Sequence, residues 1–259
     1  MGVVYHGSKE HGLKRLEPRK STHGVYVYAT PEKVLALIFS GKCGDDLTYD
    51  IGHFDTEKNE PWELVEKVPC AFDKMFSNTS SIYSLNDDTF KDIHTGFCEV
   101  VSDVGVTVQS EEYCENVWSG LVKAEQEGLV KIYRYPNKPS SMKKDGSDIL
   151  DKWRFYKTKM SKEFSKNDFD RLVYLHPELL NKINDLLQEF GYNYKYETKE
   201  LVDIFRKSIE RQLYDRGCEQ YIDCAYISIC SSYKEIEGQI KELYYSYLDA
   251  IESEKTNKL

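Results

Sequence analysis

Apolar and polar positions alternate with a period of two in the first part of the chain and recur at helical spacing in the last part. VVYHG (3–7) and GVYVYAT (24–30) are rich in Val and Tyr and read as strands. The connection between them is polar apart from Leu13 and Leu16. TPEKVLALIFSG (30–41) then opens like a helix. Thr30 is a candidate N-cap, Pro31 takes the first helical position, Glu32 follows in the first turn and Gly41 ends it, with Val34, Leu35, Ile38 and Phe39 facing inward.

Residues 62–70 (WELVEKVPC) and 80–85 (SSIYSL) read as further strands. CEVVSDVGVTV (98–108) holds one or two more, broken near Asp103–Gly105. The spacing of Tyr113, Val117, Leu121 and Ala124 predicts a helix capped by Ser110, and KIYRYP (131–136) a last strand. Residues 137–148 are rich in Pro, Ser, Gly and Lys and read as a linker or exposed loop. From residue 149 the pattern is helical, with one helix from Pro177 to Gly191 and another from Thr198 to a stop at Gly217. The expectation is an α+β fold: an α+β domain over residues 1–140, then a helical C-terminal domain over 141–259.

Composition narrows the class. With 40% apolar and 31% charged residues the chain is globular and not disordered. No run approaches the ~20 apolar residues of a membrane span, and the N-terminus lacks the pattern of a signal peptide, so no membrane partner is expected. The seven cysteines form no C-x-x-C pair and read as thiols in a reducing cytoplasm. The net charge of −9 argues against nucleic-acid binding by the whole surface. Residues 131–166, however, carry eleven Lys or Arg against four acids, a local +7 that leaves −16 elsewhere. Trp153, Phe155 and Tyr156 are interleaved there; the favoured reading is an amphipathic helix with its rings inside and its lysines solvated, and the alternative is a platform that stacks bases and binds phosphates.

The candidate chemistry sits at the start. A first strand ends in His6-Gly7-Ser8, and about twenty residues later Gly24-Val25-Tyr26-Val27-Tyr28-Ala29 leads into a helix. This order resembles the His-Tyr-Glu branch of the ADP-ribosyltransferase superfamily, which includes the poly(ADP-ribose) polymerases and diphtheria-toxin-like enzymes. The resemblance covers roughly residues 3–108. The branch's third element is a glutamate opening a later strand. Glu99, just before Val100-Val101, fits best, while Glu63 and Glu111 also stand at strand edges. The QSEE around Glu111 is similar to the Q-x-E of arginine-directed relatives, but those carry Arg on the first strand, where this chain has His6.

The resemblance implies an ADP-ribosyltransferase-like split mixed sheet, NAD as co-substrate, no metal, and transfer of ADP-ribose to a protein or nucleic-acid acceptor, in the manner of a toxin-like effector. The acceptor would lie near the basic 131–166 stretch. It casts Glu99, His6 and Tyr26 as catalytic residues and His6, Gly7, Ser8 and Tyr26 as the NAD-binding set. The residue types suit that chemistry. Breaking the nicotinamide–ribose bond develops positive charge on the sugar, which a carboxylate stabilises. Glycine permits close backbone approach, an aromatic stacks on nicotinamide, and His and Ser pair with ribose hydroxyls. Two other readings stand beside it: an RNA 2′-phosphotransferase-like enzyme, and a non-catalytic interaction protein on a degenerate scaffold of this fold. His23 reads as a loop residue, and His11, His53, His94 and His176 as surface or turn residues.

Overall fold

A computed structural model describes residues 2–21, 23–58, 60–95, 97–211 and 221–256. The fold is α+β, with antiparallel strand pairs early in the chain and helices late. The residues form two compact units. The first holds 1–44, 58–63 and 72–132; the second holds 45–57, 64–71 and 133–259.

The first unit is built on β1 (Val3–Ser8), β2 (Arg15–Leu16), β3 (Arg19–Ser21), β4 (Gly24–Ala29) and α1 (Lys33–Phe39). Strand β5 (Tyr49–Gly52) belongs to the second unit, and β6 (Trp62–Glu66) runs from one unit into the other. A short helix α2 (Ala71–Met75) precedes β7 (Ser80–Asn86), β8 (Val100–Ser102) and β9 (Val106–Cys114). Helix α3 (Val117–Gln126) and β10 (Val130–Tyr133) follow. One sheet has the order β1-β7-β9-β2 and a second the order β3-β4-β8.

The two sheets meet at a single antiparallel bridge. Tyr5 and Thr30 exchange both backbone hydrogen bonds, at 2.8 and 2.9 Å. Val4, Leu16, Val27, Ala29, Tyr83, Leu85 and Val106 pack as one core between them. The other face of β1 carries α1, which buries Val34, Leu35, Ala36 and Ile38.

Several sequence expectations are corrected here. Helix α1 begins at Lys33 with Glu32 as N-cap, because both backbone groups of Thr30 are committed to Tyr5; the Thr30 hydroxyl instead accepts the Glu32 N–H at 3.1 Å. Phe39 is exposed and meets the Phe97 ring edge-on at 5.6 Å, and Ala36 takes its place on the buried face. The helix expected from Ser110 starts at Val117, capped by the Asn116 side chain on the Ser119 N–H at 2.9 Å. Ser110 and Tyr113 lie in β9, because the free edge of β7 pairs with them, Tyr113 opposite Ser81 and Ser110 opposite Ser84. Val117, Leu121 and Ala124 are buried as expected. The break near Asp103–Gly105 falls between β8 and β9.

The second unit is largely helical: α4 (Asp148–Lys159), α5 (Lys166–Leu175), α6 (Leu180–Glu189), α7 (Glu200–Arg211), α8 (Ile222–Ser232) and α9 (Glu237–Thr256). The stop expected at Gly217 lies outside the described residues, as does Cys218. The ring of Trp153 is buried and stacks on Phe164 with centroids 4.2 Å apart. No described helix is long and apolar enough to cross a membrane.

Candidate functional site where two strands part

Strand register builds the site. In an antiparallel ladder, residues alternate between those that exchange hydrogen bonds with the partner strand and those that face away from it. Tyr5 spends its N–H and C=O on Thr30, so in the unbroken register of β1 with β7 Gly7 also faces away from β7. If the pairing of Tyr5 with Thr30 continued, Gly7 would face Tyr28. It does not continue. The Tyr28 carbonyl is engaged by the ring of His6 instead, with Nδ1 at 2.7 Å. The Gly7 N–H and C=O therefore point into the gap where β4 leaves β1.

A carbonyl oxygen only accepts, so His6 Nδ1 carries the proton and donates, and Nε2 of the neutral ring is an acceptor. Burial pushes the His6 pKa below its ordinary value of 6.5, outweighing the bond to Tyr28; Arg19 lowers it further and Glu10 raises it. His6 is thus set up as a neutral hydrogen-bond acceptor. Ser8 ends the strand, and its hydroxyl accepts the Glu10 N–H at 3.0 Å, keeping its own proton to donate.

The absence of a side chain at Gly7 has a cause within the fold. A Cβ there would lie 1.9 Å from the Ala36 carbonyl oxygen on α1. The expectation that this glycine makes room for a ligand is corrected on that side: α1 already fills the space. What remains for a ligand is the edge of the strand.

Tyr28 is the hub of the site, which its sequence context did not single out. Its hydroxyl accepts the His23 N–H at 3.3 Å, and its ring meets Tyr26 edge-on at 6.0 Å. Tyr26 and Tyr28 share one face of β4, opposite the buried Val27 and Ala29. The Tyr26 ring lies over Gly24, where a Cβ would meet it at 2.5 Å. Glu99 lies just before β8, which pairs with β4 through Ala29 and Val100. Its carboxylate is 3.8 Å from His23 Nε2, and 22% of its side chain is exposed. Tyr28 thus touches His6 through its carbonyl, His23 through its hydroxyl and Tyr26 through its ring, and Glu99 is joined to it through His23. The chain signal for this was the period-two pair Tyr26 and Tyr28, directly after His23-Gly24.

The other two carboxylates are placed differently. Glu63 is fully buried on β6 and is closed to a ligand. Glu111 lies on β9 across Tyr83 from His6, with His6 paired to Tyr83 and Tyr83 to Glu111. One of its oxygens accepts from the Gly12 N–H at 2.9 Å, the Ser81 hydroxyl at 2.6 Å and the Tyr83 hydroxyl at 3.2 Å. These donors, Gly12 first, hold its pKa below the usual carboxylate value. Ser81 in turn meets His11 Nδ1 at 2.8 Å, so His11 belongs to this network and is not a bare surface residue. The arrangement ties the loop after Ser8 to the sheet.

A cavity of about 800 Å³ in the same unit lies on the α1 side of the sheet, lined by Lys33, Leu37, Ile82, Cys114 and Lys123 among others. Ile82 is the partner of Gly7, not of His6, so this cavity opens on the opposite sheet face from the His6 side chain. None of the sequence-predicted site residues lines it. Its lining is partly polar, with Lys33 paired to Glu112 at 2.6 Å, Lys123 facing Glu127 at 3.8 Å and Asn116 capping α3.

Seven of the eleven cations in the basic 131–166 stretch pair with carboxylates of the second unit. Arg134 pairs with Glu66 at 2.7 Å, Lys152 with Asp46 at 2.8 Å, Arg154 with Glu189 at 2.8 Å, and Lys166 with Asp170 at 2.6 Å. Lys162 lies over the rings of Tyr156 and Phe164. Trp153 is in the core and the Tyr156 hydroxyl donates to Asp46, which leaves Phe155 as the exposed ring of the three.

Comparison with protein-family models, with curated proteins and with solved structures finds no match for the chain.

Proposed function

We propose that the first unit binds NAD at the parting of β1 and β4 and cleaves the nicotinamide–ribose bond, acting as an ADP-ribosyltransferase on a protein or nucleic-acid acceptor. The observation that supports this most is the pair of Gly7 backbone groups directed into the gap, one donor and one acceptor side by side. A primary carboxamide such as that of nicotinamide is their complement: its oxygen takes the N–H and its NH₂ gives to the C=O. The neighbouring groups suit the rest of the ligand. Tyr26 offers an aromatic face for the pyridine ring. His6 Nε2 accepts from a ribose hydroxyl, and Ser8 donates to one. Glu99 supplies negative charge to the sugar as it becomes oxocarbenium-like.

The test is nicotinamide release from NAD by the full chain, with an NAD binding titration on the same samples. Release by wild type that is lost in both His6→Ala and Glu99→Ala supports the reading. Release that survives Glu99→Ala moves the carboxylate to Glu111. Binding without release reduces the site to a scaffold, and absence of both overturns the proposal.

A further inference from the structure

We propose that His23 is a positioning residue for Glu99 that carries the acceptor's proton to solvent, so that the acceptor is a neutral protic nucleophile, an O–H or N–H group, and not a carboxylate. This rests on the NAD-cleaving reading of the site and names the class of second substrate that the site takes.

Three placements carry it. The imidazole Nε2 of His23 is the basic group closest to the Glu99 carboxylate, at 3.8 Å. That separation exceeds a hydrogen bond, but catalytic hydrogen bonds are often long before the substrate arrives. Exposure rises along the path: the Glu99 side chain is 22% exposed and that of His23 40%, so the histidine is the more open of the two to water. The His23 backbone is also fixed independently of its ring, since its N–H is held by the Tyr28 hydroxyl, whose own residue holds His6 through its carbonyl. Charges that bear on the pocket from neighbouring elements are Glu10 and Arg19, which act on His6.

The step balances as follows. A lone pair on the acceptor oxygen or nitrogen forms the bond to the ribose anomeric carbon. The bond from that carbon to the pyridine nitrogen breaks, and its electron pair leaves with neutral nicotinamide. The proton of the acceptor passes to the Glu99 carboxylate and from there to His23 Nε2; the imidazolium then gives one proton to water, and exchange with water returns the neutral ring to the tautomer whose Nε2 is free. Glu99 is thereby reset for the next turnover. A carboxylate acceptor has no proton to give up at neutral pH and would leave this path idle.

The probe is water, the smallest protic acceptor, with NAD as donor. In His23→Ala, kcat for nicotinamide release should fall by about tenfold or more while KM for NAD stays within about twofold. Added imidazole should restore turnover to His23→Ala. His23→Gln, which keeps a hydrogen-bonding side chain but cannot carry a proton, should stay slow. Unchanged kcat in His23→Ala, full activity in His23→Gln, failure of imidazole rescue, or a change confined to KM each overturns the inference while leaving the NAD-cleaving reading in place. Wild type that binds NAD without releasing nicotinamide overturns the relay and leaves a binding pocket. Wild type that does neither overturns both.

Discussion

Substitution of Gly7 by alanine tests how α1 and β1 are joined. The added Cβ would lie 1.9 Å from the Ala36 carbonyl oxygen, 2.8 Å from its carbon and 3.0 Å from Ser40 Cβ. Two of these atoms are helix backbone, so rotamer changes offer no escape. Real Cβ atoms essentially never come within 3.0 Å of another heavy atom, so α1 must retreat by about 1.1 Å from a core packed at crystal density. The retreat loosens Val34, Leu35, Ala36 and Ile38 together, all buried under that helix. Overpacking of this kind costs about 1–3 kcal/mol, and a rigid backbone obstacle puts Gly7→Ala at the upper end, near 3 kcal/mol. The assay is urea unfolding, with the stability change read from the shift in midpoint at constant slope. Gly238→Ala in α9 is the control. No atom lies within 4 Å of its Cβ, and replacing a helical glycine should stabilise by about 0.5–1 kcal/mol. A loss below about 1 kcal/mol in Gly7→Ala would refute the seating of α1 on β1, since no structure with that contact absorbs the methyl so cheaply.

Asn116→Ala should cost about 1 kcal/mol as a lost helix cap, whereas Ser110→Ala, in β9, should change stability by less than about 0.5 kcal/mol; urea midpoints of the two variants decide which residue starts the helix. Trp153→Ala should cost about 3–5 kcal/mol and Phe155→Ala less than about 0.5 kcal/mol, because the first ring is buried against Phe164 and the second is exposed. His6 has a folded pKa below its unfolded 6.5, so the unfolded chain takes up its proton first as the pH falls. Its contribution to stability is therefore whole above 6.5 and is lost from there down to its folded pKa, and His6→Gln should flatten that part of a stability–pH profile. Glu111→Ala removes the acceptor that holds the Gly12 N–H, and faster amide exchange at Gly12 in that variant, against an unchanged rate at Val27, is the expected outcome.

The strands around the site were legible because their side chains alternate. Val27 and Ala29 go to the core while Tyr26 and Tyr28 go to the other face, which the GVYVYA pattern states directly. The start of β9 was legible in GVTV, but its continuation through Gln109 to Cys114 was not. Gln109 to Tyr113 are all exposed, so alternation vanishes, and the helical spacing of Tyr113, Val117 and Leu121 takes over. What decides the matter is β7, whose free edge supplies backbone partners for that stretch; pairing of this kind overrides local preference. The site shows the same division. Glu99 could be placed before a strand from its neighbours, but its approach to His23 depends on β8 lying beside β4. His11 and Ser81 are 70 residues apart and meet only because β1 and β7 pair.

Gly7 joins both kinds of information, and it limits how a ligand can enter. Its side-chain direction is closed by the Ala36 carbonyl, and β7 occupies one edge of the strand. The remaining approach is along the other edge, in the plane of the sheet, where β4 would have continued had His6 not taken the Tyr28 carbonyl. A group arriving there meets an N–H and a C=O spaced as in a strand, and must itself be flat and offer an acceptor beside a donor. Sugars and phosphates do not present that pair in one plane, whereas an amide does. A planar amide is therefore the complement of this edge before any side chain contributes, and His6 is the residue whose ring keeps the edge open by holding the Tyr28 carbonyl.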